Sequence, residues 1–251
     1  RAADPARDRL VAFTGKLIVS KGVDLLVAAW PLVLERVPSA RLVVVGFGAY
    51  RAGLERLLRA LAAGDLHEAR AVAAAGRALE GGPEGELHHL AAFLDGLEGE
   101  ARERYLAAAA HLGERVVLTG RLEHAELVDL LPAVEAQVVP STFPEAFGMV
   151  AAEAAACGAL PVSAAHSGLA EVTRTLAAAV PPEAAELLQR AMTLEPDHGG
   201  ALIAWGDFLA GERKYAEALE SYQKAKRVDP YRADSVADKR IVELRLRASG
   251  S

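Results

Sequence analysis

PSTFPEAFGMVAAEAAACGALPV, residues 140–162, follows the apolar run AQVV at 136–139 and runs into a second one, LPVS at 160–163. The pattern reads as strand, loop, helix, strand. Glu145 falls in the loop, and Glu153 two turns into a helix opened by Phe147, Gly148 and Met149. The opening amides of such a helix have no intrahelical acceptor, and Gly148 has no side chain to block an approaching anion or hydroxyl. An ionised Glu145 only accepts hydrogen bonds, which suits it to ligand hydroxyls. Eight residues of continuous helix rise about 12 Å, so Glu145 and Glu153 would meet opposite ends of one extended ligand and are too far apart to act as a paired acid and base. The residues alone also allow a plainer reading, in which Glu153 is a solvated helix carboxylate and Glu145 a charge favoured by the helix dipole.

Outward from this stretch, short apolar runs at 10–14, 41–45, 115–118, 136–139 and 160–163 alternate with helical patterns at about 22–36, 51–62, 124–135, 147–157 and 168–177. That alternation predicts an α/β, Rossmann-like parallel sheet with helices on both faces. Ligands of such sheets bind beyond the carboxyl ends of the strands. The candidate groups fall there: Gly15 and Lys16, Gly46 to Gly48, Gly120 and Arg121, Ser141 to Glu145, and Ser167 with Gly168. The GFG at 46–48 lacks a full dinucleotide fingerprint, but its place after a strand suits close approach of backbone to a ligand.

The Glu-x7-Glu spacing of Glu145 and Glu153 resembles the signature of retaining glycosyltransferases of GT-B family 4 (group 1). FTGKLIVSKGVDLLVAAWPLVLERVPSARLVVVGFG at 13–48 and VVLTGRLEHAELVDLLPAVEAQVVPS at 116–141 are similar to further parts of that family's C-terminal donor-binding domain. The resemblance implies a nucleotide-sugar donor and retaining glycosyl transfer. Glu145 would contact the sugar and Glu153 the ribose, while the amides of Phe147, Gly148 and Met149 meet sugar and phosphates. Lys16 and Lys21 become the diphosphate cations. Lys16 stands where the family usually has Arg, a single ammonium in place of a bidentate fork, and Lys21-Gly22 fits its Lys-Gly pair. Two solvated surface lysines are the alternative. The implied catalytic set is Glu145, Lys21 and Lys16. The implied donor-binding set adds Gly15, Gly46, Gly48, Gly120, Arg121, Ser141, Phe147, Gly148, Met149 and Glu153. No cofactor and no metal are implied, because GT-B enzymes neutralise the leaving diphosphate with side chains and a helix terminus. SAAHSGLAEV at 163–172 matches the family's Gly-Gly turn only loosely, with Ser167 for one Gly and Glu171 in the later acidic position.

Residues 61–114 are more chain than the family uses between these strands, and they carry helical patterns at about 65–79, 84–95 and 99–111 around Gly81-Gly82-Pro83. A small helical layer is expected. His67, His88, His89 and His111 fall there without metal-ligand spacing. With 25% charged and 52% hydrophobic residues and a net charge of −6, the chain has the composition of a soluble globular protein without general attraction to nucleic acid or anionic membrane. Cys157 is the sole cysteine, which excludes an intrachain disulfide and suits a reducing, cytoplasmic setting. No signal peptide or transmembrane-length run is present.

Past Pro181-Pro182 a period of 34 appears, Ala184, Leu188, Ala191 and Pro196 recurring as Ala218, Tyr222, Ala225 and Pro230. Residues 199–232 resemble one tetratricopeptide repeat, preceded by half of another and followed by a capping helix at about 233–247. The expected organisation is therefore a donor-binding domain at 1–182 with its insertion at about 61–114, and a repeat-like tail at 183–251. So few repeats would have to pack on the α/β domain, be strained by truncation, or belong to a longer array. Because the acceptor half of a GT-B enzyme is missing and the chain starts at Arg1, a fragment or chimera is expected, with that half preceding Arg1. A second function stands beside donor binding: a non-catalytic interaction module whose tail takes a protein or peptide partner.

Overall fold

The computed structural model describes residues 7–179, 199–228, 241, 242 and 244. Two compact units divide the chain, residues 1–172 and 173–251.

The first unit is built on five strands: β1 (Arg9–Thr14), β2 (Ala40–Val45), β3 (Val116–Gly120), β4 (Ala136–Val139) and β5 (Leu160–Ser163). They hydrogen-bond in the order β3-β2-β1-β4-β5, and every pairing is parallel. The helices α1 (Val23–Arg36), α2 (Arg51–Ala62), α7 (His124–Leu130), α8 (Met149–Ala156) and α9 (Ser167–Ala179) connect or follow them. This is the predicted Rossmann-like α/β sheet. The order reverses between β1 and β4, the point at which such sheets open a crevice for ligands.

The apolar runs form strands because both sheet faces are covered. All six residues of β2 are buried, as a central parallel strand requires. Along β1, Val11 and Phe13 pack with the larger core, while Leu10 and Ala12 join Val134, Ala154 and Ala159 in a smaller one. This is the two-residue alternation of a strand facing two layers. At the edge of the larger core, the nearly buried Arg41 is neutralised by Asp8 at 2.9 Å.

The insertion packs into the core of the sheet domain. Its helices α3 (Leu66–Ala75), α4 (His88–Asp95), α5 (Gly99–Ala109) and α6 (Leu112–Arg115) contribute Leu66, Ala69, Val72, Leu90, Leu94, Tyr105 and Leu112 to the core that also holds Trp30 and Leu57. The Tyr105 hydroxyl donates to the Ala28 carbonyl at 2.8 Å, which satisfies a phenol that is otherwise wholly buried. The three expected helical patterns are present. They are amphipathic because their apolar faces complete the core of the sheet domain.

In the second unit, helices at Gly199–Gly211 and Tyr215–Val228 pair across a tight turn in which Arg213 takes a positive φ of 61°. Gly206 lies under the Tyr222 ring, where an added Cβ would come within 2.4 Å. The Tyr222 hydroxyl donates to Asp207 at 2.7 Å. Both helices were expected from the 34-residue period. The half repeat expected before residue 199 lies outside the described residues, and the capping helix at 233–247 lies mostly outside them. Among the described residues no helix is long and apolar enough to cross a membrane.

Candidate functional site

The five loops at the carboxyl ends of the strands are stitched to one another through the backbone. Gly46 N–H donates to the Gly120 carbonyl at 2.8 Å, joining the loops after β2 and β3. Leu17 N–H donates to Phe47 at 2.9 Å and Tyr50 N–H to Leu17 at 3.0 Å, joining those after β1 and β2. Thr142 N–H to Ser20 links β1 to β4, and Gly168 N–H to Glu145 links β5 to β4, each at 3.0 Å. The result is one continuous rim.

The GFG glycines take part in this stitching. Gly46 and Gly48 are required by neighbouring backbone, since a Cβ on Gly46 would lie 1.9 Å from the Gly15 carbonyl oxygen and one on Gly48 would lie 2.2 Å from that of Leu17. Both glycines lock loop to loop. Phe47 between them is half exposed, and the Arg121 guanidinium lies 5.5 Å from its ring centroid. Arg121 also pairs with Glu123 at 3.0 Å. Two flanking glycines were the sequence signal for a rigidly presented aromatic here.

Lys21 and Glu145 meet where the loops after β1 and β4 adjoin. Lys21 ends a single 3₁₀ turn, Val19–Lys21, that stops at Gly22 with φ 68°. A Cβ on Gly22 would lie 2.1 Å from the Pro140 carbonyl oxygen, so glycine lets the two loops close on each other. The Lys21 ammonium donates to Glu145 Oε1, and the hydroxyl of buried Ser141 donates to the same oxygen at 2.5 Å. Partial burial pushes the Glu145 carboxyl up, but the hydrogen bonds from Lys21 and Ser141, with the nearby charges of Lys21 and His166, hold it below the ordinary carboxylate range. Glu145 is therefore ionised at neutral pH.

The loop after β5 supports this group from behind. Ser167 Oγ accepts from the Glu145 amide at 2.9 Å and donates to the His166 carbonyl at 2.8 Å. His166 Nε2 lies 2.7 Å from the Ser141 carbonyl oxygen, a contact in which the ring nitrogen donates. Ser167 sits at a positive φ of 51°, uncommon for a residue with a side chain. His166 was not anticipated from sequence, because nothing in its local pattern reports a contact with Ser141.

The opening of α8 differs from expectation. Gly148 is in the left-handed conformation, φ 79°, and caps the helix, which begins at Met149. Phe147 and Gly148 therefore precede it, and the first helical amides are those of Met149 and Val150. No continuous helix joins Glu145 to Glu153, so the 12 Å rise does not apply. Glu153 is the fifth residue of α8 and is exposed. Phe143, Phe147 and Met149 are 60–66% exposed.

Gly15 is bound through its N–H to Val45 at 3.0 Å. Lys16 is exposed and makes no ion pair among the described residues. His67, His88, His89 and His111 are exposed. No group of three histidine, cysteine or acidic side chains among the described residues is arranged to hold a metal ion.

No curated protein matches the chain. The model of the family described as glycosyl transferases group 1 matches residues 72–195, just under half of the chain, a span that contains Arg121, Ser141, Glu145 and Glu153, and the general chemistry to which this segment is similar is glycosyl transfer.

Proposed function

We propose that this chain binds a nucleoside diphosphate sugar along the rim and forms the donor side of a retaining glycosyltransferase of the GT-B family 4 type. The observation that carries the reading is the Lys21–Glu145–Ser141 group at the β1/β4 reversal, where an open parallel sheet takes its ligand. Lys21 and Lys16 face the diphosphate, and the Met149 and Val150 amides at the start of α8 add partial positive charge. As the glycosyl bond breaks, negative charge grows on the departing diphosphate, and fixed ammonium and amide donors lower the barrier by meeting it there. Glu145, kept ionised by Lys21 and Ser141, accepts from sugar hydroxyls and orients the ring. Glu153 accepts from the ribose. Gly15, Gly46, Gly48 and Gly120 hold the loops, and Arg121 on Phe47 borders the rim. No metal takes part in this scheme, because cationic side chains and a helix terminus supply the neutralising charge. The acceptor is assigned to a second Rossmann-like half.

Isothermal titration of the whole chain with nucleoside diphosphates and their sugar conjugates tests the reading. Saturable binding that is weakened in Lys21→Ala and retained in Glu220→Ala supports it. Absence of binding by every nucleoside diphosphate and sugar conjugate would reject it in favour of an interaction module.

A further inference from the structure

The turn that carries Lys21 is closed by Lys21 N–H to the Ile18 carbonyl and Gly22 N–H to that of Val19, each at 3.0 Å, but it does not satisfy its own leading amide. Val19–Lys21 is a single 3₁₀ turn with no buried residue, and Ile18 before it supplies no side-chain cap. Its leading amide is met instead from 61 positions away: Glu80 Oε2 accepts from Val19 N–H at 2.9 Å.

Glu80 belongs to the insertion and ends a second 3₁₀ turn, Gly76–Glu80. That turn is firmly built. Gly76 has φ 49°, and an added Cβ would lie 1.8 Å from the Gly85 carbonyl oxygen. Arg77 N–H donates to Gly85, and Gly82 N–H donates back to Arg77, both at 3.0 Å. The Glu80 side chain is only 13% exposed, and Arg77 lies 3.6 Å from its other oxygen. A carboxylate so enclosed needs hydrogen bonds to offset lost hydration. Two further polar groups lie within reach of its charge: Asp24 Oδ1 and the Tyr50 hydroxyl, both buried without a hydrogen-bond partner. Glu80 is thus an acceptor met by the Val19 amide and faced by the Arg77 guanidinium, with the Asp24 carboxyl opposing its charge.

We propose that Glu80 is a positioning residue through which the helical insertion fixes the Val19–Lys21 turn and so aims Lys21 at Glu145. The proposal rests on the donor-site reading for its functional meaning, while its physical content concerns the turn alone. An insertion that completes the core would then also set the geometry of the rim.

The test uses the whole chain with Glu80→Ala, which removes the acceptor, and Glu80→Gln, which keeps one. Two readouts need no ligand: hydrogen exchange of the Val19 amide, and titration of the Glu145 carboxyl followed by NMR. Glu80→Ala should speed Val19 exchange about tenfold or more and move the Glu145 midpoint upward as Lys21 drifts from it, whereas Glu80→Gln should restore both. Should Glu80→Ala fail to fold, Glu80→Asp, one methylene short of Val19, carries the same expectations. Unchanged exchange and an unchanged Glu145 midpoint in a folded Glu80→Ala or Glu80→Asp chain would overturn the proposal, as would Glu80→Gln behaving like Glu80→Ala. Uridine diphosphate, guanosine diphosphate and adenosine diphosphate are titrated in parallel. If the unaltered chain binds one, Glu80→Ala should weaken it about tenfold. If it binds none, the donor-site reading falls, and the exchange and titration data still decide the role of Glu80.

Discussion

Lys21 and Glu145, 124 positions apart in sequence, share an ion pair at the junction of the β1 and β4 loops. The pair holds Glu145 charged, and it restrains the Lys21 ammonium.

Lys21→Ala removes both effects. Binding of a nucleoside diphosphate should weaken by about 1–3 kcal/mol, the range for a hydrogen bond to a charged group, and titration calorimetry measures it. The Glu145 carboxyl should titrate at higher pH in the variant. The pair's contribution to stability is present at neutral pH and is lost as pH falls through the lowered Glu145 midpoint, since a protonated carboxyl no longer holds the ammonium. In Lys21→Ala that acid-side loss should shrink.

Asp24 has the opposite sign. It lies in the first turn of α1, 3% exposed, and burial pushes its carboxyl from 3.8 up to about 6. The folded chain therefore binds this proton more tightly than the unfolded chain. Stability from this group is fully present below the unfolded value and is lost as pH rises toward and through about 6. The loss is about 3 kcal/mol, from roughly 1.4 kcal/mol for each pH unit of difference. Urea unfolding between pH 4 and 8 should show that decline, and Asp24→Asn should flatten it and raise stability at pH 8. A parallel pH dependence in both chains would count against an ionised Asp24 in the core.

The sheet was legible because its signal is local. Runs such as RLVVV at 41–45 and AQVV at 136–139 are short, apolar and rich in β-branched residues, and the loops between them converge whatever the details of packing. The strand, loop, helix, strand order through 136–163 was legible in the same way. Three features were not. The cap at Gly148 depends on a left-handed conformation fitted against Leu169, whose side chain would lie 2.5 Å from an added Cβ, and helical periodicity continues across it unbroken. The duty of Gly46 and Gly48 is set by the neighbouring loop after β1. Glu80, Asp24 and His166 act through partners distant in sequence or through burial, neither of which leaves a periodic trace. The insertion illustrates the same limit: its helices were readable from their patterns, but their membership of the main core was not.

Loop closure by glycine leads to a stability prediction. At Gly22 an alanine would face both a φ of 68° and the Pro140 carbonyl oxygen at 2.1 Å, so the β1 and β4 loops would have to separate. Gly22→Ala should cost about 2–3 kcal/mol. Gly113→Ala is the matched control, since Gly113 lies in the helix Leu112–Arg115 with nothing within 4 Å of an added Cβ. There alanine should be neutral or stabilise by about 0.4–1 kcal/mol, through lower entropy of the unfolded chain. Equal melting shifts for the two variants would show that the Gly22 contact yields easily.

Glu153 separates a ligand role from a structural one more cleanly than any residue of the rim. It is exposed on α8, so replacing it should change stability by no more than about 0.5 kcal/mol. Glu220, exposed on the helix Tyr215–Val228 of the second unit, offers the same loss of one negative charge. Removing a negative charge anywhere should slightly favour binding of an anionic nucleotide through the long-range field. If Glu153 accepts from ribose hydroxyls, its alanine variant must overcome that gain and bind a nucleoside diphosphate more weakly, by about 1–3 kcal/mol, whereas Glu220→Ala binds as tightly as the parent or slightly better. A deoxyribose diphosphate sharpens the comparison, because it should bind the parent weakly and be nearly indifferent to Glu153→Ala. Equal affinities of the two alanine variants for the ribose form would remove Glu153 from the site and leave it a solvated helix carboxylate.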